Sequence, residues 1–138
     1  MLSKAKNVLS DNNHRLVIIN NNCITTSNER GVKALLDLLD GETDISGAYA
    51  ADKVVGKAAA MIYVLLGIKA LYASVISEGA KAIIESQGIL LEYDEVVPYI
   101  INRRGDGMCP MEMAVGDELD PELAIQKVRK RLQELSSK

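Results

Sequence analysis

The sequence contains no Trp and no Phe, so five Tyr provide all of its aromatic surface. Proteins that bind single-stranded nucleic acids stack bases on several aromatic side chains, which this chain lacks the residues to do. The formal net charge is −3 and the pI is about 5.2, whereas sequence-independent binding to a nucleic acid depends on clustered basic residues. We therefore expect no nucleic acid polymer as a partner.

Cysteine and histidine are also scarce, with Cys23, Cys109 and His14 as their only representatives. Two cysteines cannot form a disulfide framework, and with one histidine they are a poor set of metal ligands. We expect neither a metal nor another cofactor. The first residues lack the apolar stretch of a signal peptide, and the longest apolar stretch, residues 58–68, is too short to span a bilayer. These absences predict a cytoplasmic protein with reduced thiols and no membrane partner.

The order of apolar and turn-forming residues predicts an α/β fold. A length of 138 residues fits one domain spanning 1–138. The periodicity predicts strands at 15–20, 23–26, 69–76 and 89–97, and helices at 4–10, 29–39, 53–66, 77–87, 110–115 and 120–138. A hairpin followed by alternating helices and strands is typical of a mixed sheet with helices on both faces.

The segment 50–60, AADKVVGKAAA, is the first candidate site. We predict Asp52 as the N-cap of a buried central helix that begins at Lys53. Lys53 and Lys57 would then share a face near the positive end of that helix, and Gly56 between them costs about 1 kcal/mol against Ala. A bound anion would offset these unfavourable choices. Alternatively, both lysines reach solvent or pair with carboxylates, and Gly56 only permits tight packing.

The segment 100–115, IINRRGDGMCPMEMAV, is the second candidate site. Its glycines permit the positive φ of a tight turn, whose N–H groups can surround an anion together with two guanidinium groups. The candidate ligand-binding residues here are Asn102, Arg103, Arg104, Gly105, Asp106 and Gly107. They join Asp52, Lys53, Gly56 and Lys57 in the predicted anion site.

Cys109 and Glu112, in the same segment, are the candidate catalytic residues. Pro110 suits the first position of a short helix, which makes Cys109 its N-cap. The helix N-terminus and nearby arginines would favour the thiolate, and Glu112 or Asp106 would accept a proton. The alternative is that Cys109 is a small buried apolar residue, as most free cysteines are.

The two segments resemble those of a small prokaryotic family of unknown function whose members are similar in fold to cytidine deaminases. The resemblance covers nearly the whole chain and implies a three-layer α/β/α sandwich around a mixed sheet. Zinc-dependent deaminases carry His/Cys-x-Glu at the start of the central helix and Pro-Cys-x-x-Cys where the next strand leads into its helix. This chain has Asp52-Lys53-Val54 and ISEGA (76–80) there. Neither supplies the expected ligands, so the resemblance implies the fold without zinc-dependent deamination.

Similar folds without zinc occur in a folate-dependent transformylase acting on a purine ribonucleotide and in a sulfur-carrier protein for formate dehydrogenase. We expect this chain to bind a phosphorylated small molecule, such as a nucleotide. A cysteine-dependent transferase or sulfur carrier using Cys109 is the alternative, and a non-catalytic dimerisation or interaction module is the second alternative. A homodimer is expected, because symmetric dimers are the commonest oligomers.

Overall fold

A computed structural model describes residues 2–11, 14–21, 23–28, 32–41, 44–101, 105 and 107–136. Within these ranges the chain forms six helices and five strands. In chain order they are α1 (Leu2–Asp11), β1 (Leu16–Asn20), β2 (Cys23–Ser27), α2 (Lys33–Asp40), β3 (Tyr49–Val55), α3 (Lys57–Leu66), β4 (Ala70–Ser77), α4 (Glu78–Ser86), β5 (Leu90–Val97), α5 (Pro110–Val115) and α6 (Pro121–Ser136). None of these helices is both long and apolar enough to cross a membrane.

The five strands form one mixed sheet in the order β2-β1-β3-β4-β5. β1 runs antiparallel to both of its neighbours, and it is joined to β2 by a hairpin in which Asn20 faces Cys23. Asn21 in this turn has a φ of 56°, a left-handed conformation that Asn tolerates better than most residues. β3, β4 and β5 run parallel, and α3 and α4 provide the crossovers between them. Their carboxyl ends therefore lie at the same edge of the sheet.

Helices cover both faces of this sheet. Because successive strand residues point to opposite faces, β1 divides its side chains between two apolar clusters. Val17 and Ile19 pack with Ala5 and Leu9 of α1, whereas Ile18 packs with the other helices on the opposite face. The central helix there is α3, whose residues 58–63 are all buried. The predicted α/β fold with helices on both faces of a mixed sheet is confirmed.

The predicted helix 53–66 is wrong in its first turn, since residues 49–55 form β3 and α3 begins only at Lys57. Ala50 and Ala51 are fully buried between the flanking strands and the two helical layers. Their small side chains let helices approach closely on both sides, so packing overrides the helix propensity of alanine. Asp52 is therefore no N-cap. α2 also begins later than predicted, at Lys33, with residues 29–31 outside the described ranges.

Candidate functional site

Two helix N-termini meet at the edge of the sheet where β3 and β4 end. Val55 of β3 pairs with Ile76 of β4, and each strand then turns directly into a helix. Gly56 is the N-cap of α3, and Ser77 is the N-cap of α4, where its Oγ accepts a hydrogen bond from the Ala80 N–H at 3.2 Å. In open α/β sheets, ligands bind outside the carboxyl ends of parallel strands, which makes this edge the candidate site.

The segment after β5 returns the chain to the same edge. Ile101 and Met108 form an antiparallel bridge, and the Cys109 N–H donates to the Ile100 carbonyl at 2.7 Å. The prediction that Cys109 is an N-cap followed by Pro110 is confirmed, although its side chain makes no capping hydrogen bond. α5 follows and turns Glu112 into the interior.

Glu112 joins α5 to the starts of α3 and α4. Its side chain is only 2% exposed. Its Oε1 accepts a hydrogen bond from the Lys57 N–H at 2.8 Å and one from the Ser77 Oγ at 3.0 Å. A buried carboxylate needs such donors to offset the cost of leaving water, and the N-terminus of α3 supplies favourable charge as well. The predicted anion at this helix start was a bound ligand, and among the described residues the position beside the Lys57 N–H is taken by the carboxyl group of Glu112.

Gly56 is required by the close approach of this carboxylate. A Cβ at position 56 would lie 2.4 Å from the Glu112 Oε1 and 3.1 Å from the Ile100 Cγ1. Real Cβ atoms do not come so close, so Ala here would force Glu112 or the α3 N-terminus to move. The alternative reading of Gly56, that it permits tight packing, fits this contact, and the neighbour is a carboxyl group 56 residues further along the chain.

Lys57 lies across the first turn of α4. A Cβ at Gly79 would be 2.4 Å from the Lys57 Cε, so the absence of a side chain there makes room for the lysine. The Lys57 Nζ donates to the Gly116 carbonyl at 2.9 Å, at the end of α5. A cation beside the positive end of a helix is unfavourable for stability, and the same arrangement attracts an anion.

Asp52 and Lys53 do not share the predicted helix face with Lys57, because both belong to β3. The Asp52 Oδ2 accepts a hydrogen bond from the buried Tyr63 hydroxyl at 2.7 Å, and its Oδ1 accepts one from the Val54 N–H at 3.3 Å. Burial raises the pKa of Asp52 to about 6, against the opposing effect of the Tyr63 hydrogen bond. Burial and the Asp52 charge raise the pKa of Tyr63 well above its usual value. Lys53 follows Asp52 in the strand and so points to the other face.

The remaining predicted residues are only partly described. Asn102, Arg103, Arg104 and Asp106 lie outside the described residues. Gly105 is exposed and has a φ of 77°, which fits the predicted turn, and Gly107 is half-buried. Cys109 is half-buried against the main apolar cluster. Among the described residues, no group of three or more His, Cys, Asp or Glu side chains could hold a metal ion.

Four residues of this site were not predicted: Ser77, Gly79, Gly116 and Tyr63. Only Gly79 gave a weak signal, since glycine in the first turn of a helix is an unfavourable choice for the helix alone, whereas Ser77 is an ordinary N-cap residue. Gly116 and Tyr63 gave none. Their contacts with Lys57 and Asp52 depend on how α5 and α3 pack, which no local pattern encodes.

Comparison with known proteins places the chain in a family. The model of the TM1506 family, a domain of unknown function (DUF1893), matches residues 4–132. The chain is also similar to the crystal structure of a DUF1893 family protein (TM1506) from Thermotoga maritima, with 28% identity and a TM-score of 0.84. That match covers 96% of this chain and 88% of the other. No relative was found among curated proteins. The chain belongs to the DUF1893 family.

Proposed function

We propose that this protein binds a phosphorylated small molecule, such as a nucleotide, at the edge of the sheet where β3 and β4 end. The observation that carries the proposal is the position of Lys57 across Gly79. It brings an ammonium group to the N-terminus of α4. Two elements that attract anions meet there, and the hydrogen bond from the Lys57 Nζ to the Gly116 carbonyl holds the ammonium group in place.

The start of α4 has the donors that a phosphate needs. The first N–H groups of a helix, here those of Glu78 and Gly79, have no partner within the helix. Such groups bind phosphate oxygens together with the helix dipole. Lys57 would add a charge-assisted hydrogen bond, and Arg103 and Arg104 would add guanidinium contacts from the neighbouring segment.

We further propose that the fold is deaminase-like, with a different group at the place of the zinc site. In the deaminases that the family resembles, the metal ligands come from the start of the central helix and from the junction between the next strand and its helix. In this chain those two places are Gly56–Lys57 and Ser77–Gly79, and the Glu112 carboxylate bridges them. Lysine, serine and glycine do not fit a zinc site, which takes Cys, His and carboxylate ligands. We therefore derive no metal-dependent step.

A thermal unfolding experiment with matched variants tests the phosphate site. The wild-type protein is heated alone and with inorganic phosphate, nucleotides or sugar phosphates, beside Gly79→Ala, Lys57→Gln and Lys69→Gln. Gly79→Ala places a Cβ where the Lys57 chain lies, so it moves the ammonium without removing its charge. Lys69 is an exposed lysine just before β4, at the end of the sheet where the parallel strands begin. Its replacement controls for the loss of one positive charge.

We expect at least one phosphorylated compound to raise the Tm of the wild type, since a ligand at one hundred times its Kd adds about 2.7 kcal/mol. Gly79→Ala and Lys57→Gln should lose at least half of that shift, whereas Lys69→Gln should keep it. A shift that is equal in Gly79→Ala and the wild type would contradict the position of the site. A panel without any shift would contradict phosphate binding.

Cysteine chemistry is the second candidate, because Cys109 is the N-cap of α5 one turn before Glu112. Glu112 is poorly placed as its proton acceptor, since Oε1 already binds Lys57 and Ser77 in the interior. The exposed Cys23 provides a reference thiol in the same molecule. If Cys109 is a nucleophile, iodoacetamide should label it faster than Cys23 below pH 7, and slower labelling would leave Cys109 as a packing residue.

A further inference from the structure

We propose that β2 and α2 form a symmetric dimer interface, in which β2 pairs antiparallel with β2 of a second copy of this chain. The proposal concerns the edge of the sheet formed by β2, and it does not depend on the proposed phosphate site at the ends of β3 and β4. It rests on the two sheet edges, on a groove beside β2 and on the charges of α2.

The two edges of the sheet differ in how they are protected against pairing. Edge strands usually carry charged side chains or proline that prevent them from adding another strand. β5, at one edge, carries Glu92, Asp94 and Glu95. β2, at the other, reads CITTS, with residues of high β-propensity and neither a charge nor a proline. Its first four residues are exposed, with Ile24 at 45%. The β2 edge is thus suited to receive a strand.

A groove runs along β2 on the side of α2. It has a volume of about 220 Å³, with Leu16 at its base, Thr25 and Ser27 on the strand, and Ala34 and Asp37 on the helix. A sheet that continues across β2 into a second copy would cover this groove. The area matters, because a stable interface buries roughly 1,200–2,000 Å² in total and five residues of strand alone bury less. α2 must therefore contribute.

The charges of α2 favour a second copy over an unrelated peptide. Lys33 and Asp37 are exposed and four residues apart, so they lie on the same face of the helix. Neither takes part in an ion pair among the described residues. A two-fold axis that makes the two β2 strands antiparallel also makes the two α2 helices antiparallel. Lys33 of each copy then approaches Asp37 of the other, so the pattern is complementary to itself.

Charge reversal followed by charge exchange tests this pairing. Sedimentation equilibrium over roughly 1–100 μM, a range that covers micromolar Kd values, compares the wild type with Lys33→Glu, Asp37→Lys and the double variant. The double variant should not destabilise α2, because it places Glu near the start of the helix and Lys further along, where each charge interacts favourably with the helix dipole. Leu90→Lys is the matched control, since Leu90 is a 65% exposed apolar residue on the opposite edge strand.

We expect a wild-type dimer, a Kd about tenfold weaker in each single variant, and recovery in the double variant, because each reversal disrupts two symmetric charge pairs. Leu90→Lys should leave the dimer unchanged. A monomeric wild type, single variants that dimerise normally, or dissociation only in Leu90→Lys would each overturn the proposal.

A cysteine at the middle of β2 gives an independent readout. Thr25→Cys, made with both native cysteines replaced by Ala, places the new thiols opposite each other near the two-fold axis. Directly opposed residues of antiparallel strands have Cα atoms about 4.5–5.5 Å apart, within the range that a disulfide bridges. Mild oxidation should give a covalent dimer. Failure to crosslink while the protein is dimeric would show that the copies pair elsewhere and would also overturn the proposal.

Discussion

Replacing Asp52 with Asn should stabilise the protein at neutral pH and have less effect near pH 4. Asp52 has an ordinary pKa of 3.8 and a folded-state pKa of about 6. The folded state therefore holds the Asp52 proton more tightly than the unfolded state does. This stabilisation is complete below about pH 4, and it is lost as the pH rises through about 6, because the buried carboxylate must then ionise. Two pKa units correspond to about 3 kcal/mol.

This figure is an upper limit, since part of the Asp52 side chain remains accessible to water. Among the described residues, Asp44 and Glu118 have a lowered pKa and act in the opposite direction, so the pH dependence of the wild type alone would mix these effects. The difference between Asp52→Asn and the wild type removes them. The cost of the new amide group remains in this difference as a constant, so the change of the difference with pH does not contain it.

The assay is urea unfolding of both proteins at pH 4.0, 5.0, 6.0 and 7.5. We expect the stability difference to change by about 2–3 kcal/mol in favour of Asp52→Asn across that range. The same substitution at the exposed Asp117 provides the background effect of losing one negative charge. A difference that stays constant with pH would refute the reasoning, because it would mean that Asp52 ionises equally easily in both states.

Three further predictions concern the same layer of the structure. Tyr63→Phe should raise the pKa of Asp52 further, because the Tyr63 hydrogen bond lowers it; an NMR titration of the Asp52 carboxyl would measure this, and a fall would contradict it. Gly56→Ala should cost about 1–3 kcal/mol in urea unfolding through the contact with Glu112. Glu112→Asp shortens the side chain and withdraws the carboxyl group, so the double variant Gly56→Ala/Glu112→Asp should recover part of that loss. If the stability losses of the two single variants simply add, the contact with Glu112 is not the cause. Glu112→Gln should strengthen phosphate binding in calorimetry by removing a like charge, while costing about 1 kcal/mol of stability; weaker binding would instead make Glu112 a ligand contact.

Most helices and strands could be predicted because their patterns were local. The hairpin at Asn20 and Asn21, the helix stop near Gly88 and the start of α5 at Pro110 each depend on residues with strong backbone preferences. β3 could not be predicted, since its two alanines and adjacent charges resemble the start of a helix. Only the presence of β1 and β4 on either side makes an extended chain the better solution for these residues.

Several residues of the predicted site lie together in the structure, although their contacts were not predicted. Gly56, Lys57 and Glu112 were singled out individually, and the structure brings them into contact. Their pairing could not be read from the sequence, because it joins the start of α3 to α5 across 55 positions. An unfavourable residue at a helix N-terminus indicates that something else is close to it. It does not distinguish a bound ligand from a carboxylate of the same chain.

This internal carboxylate limits how strongly the described part of the site can attract a phosphate. Glu112 and Lys57 carry opposite charges and are held together through α5, so their long-range effects largely cancel. A phosphate group with nearly two negative charges needs further cations. Arg103 and Arg104 are our candidates, because they belong to the chain between Ile101 and Met108. Ile101 and Met108 form a bridge, and the neighbouring Ile100 lies close to Gly56. We expect Lys57 and α4 to determine where a phosphate would bind, and the two arginines, which lie outside the described residues, to add to the attraction. Binding should then weaken steeply with salt and with the loss of both arginines, in addition to the loss expected for Lys57→Gln.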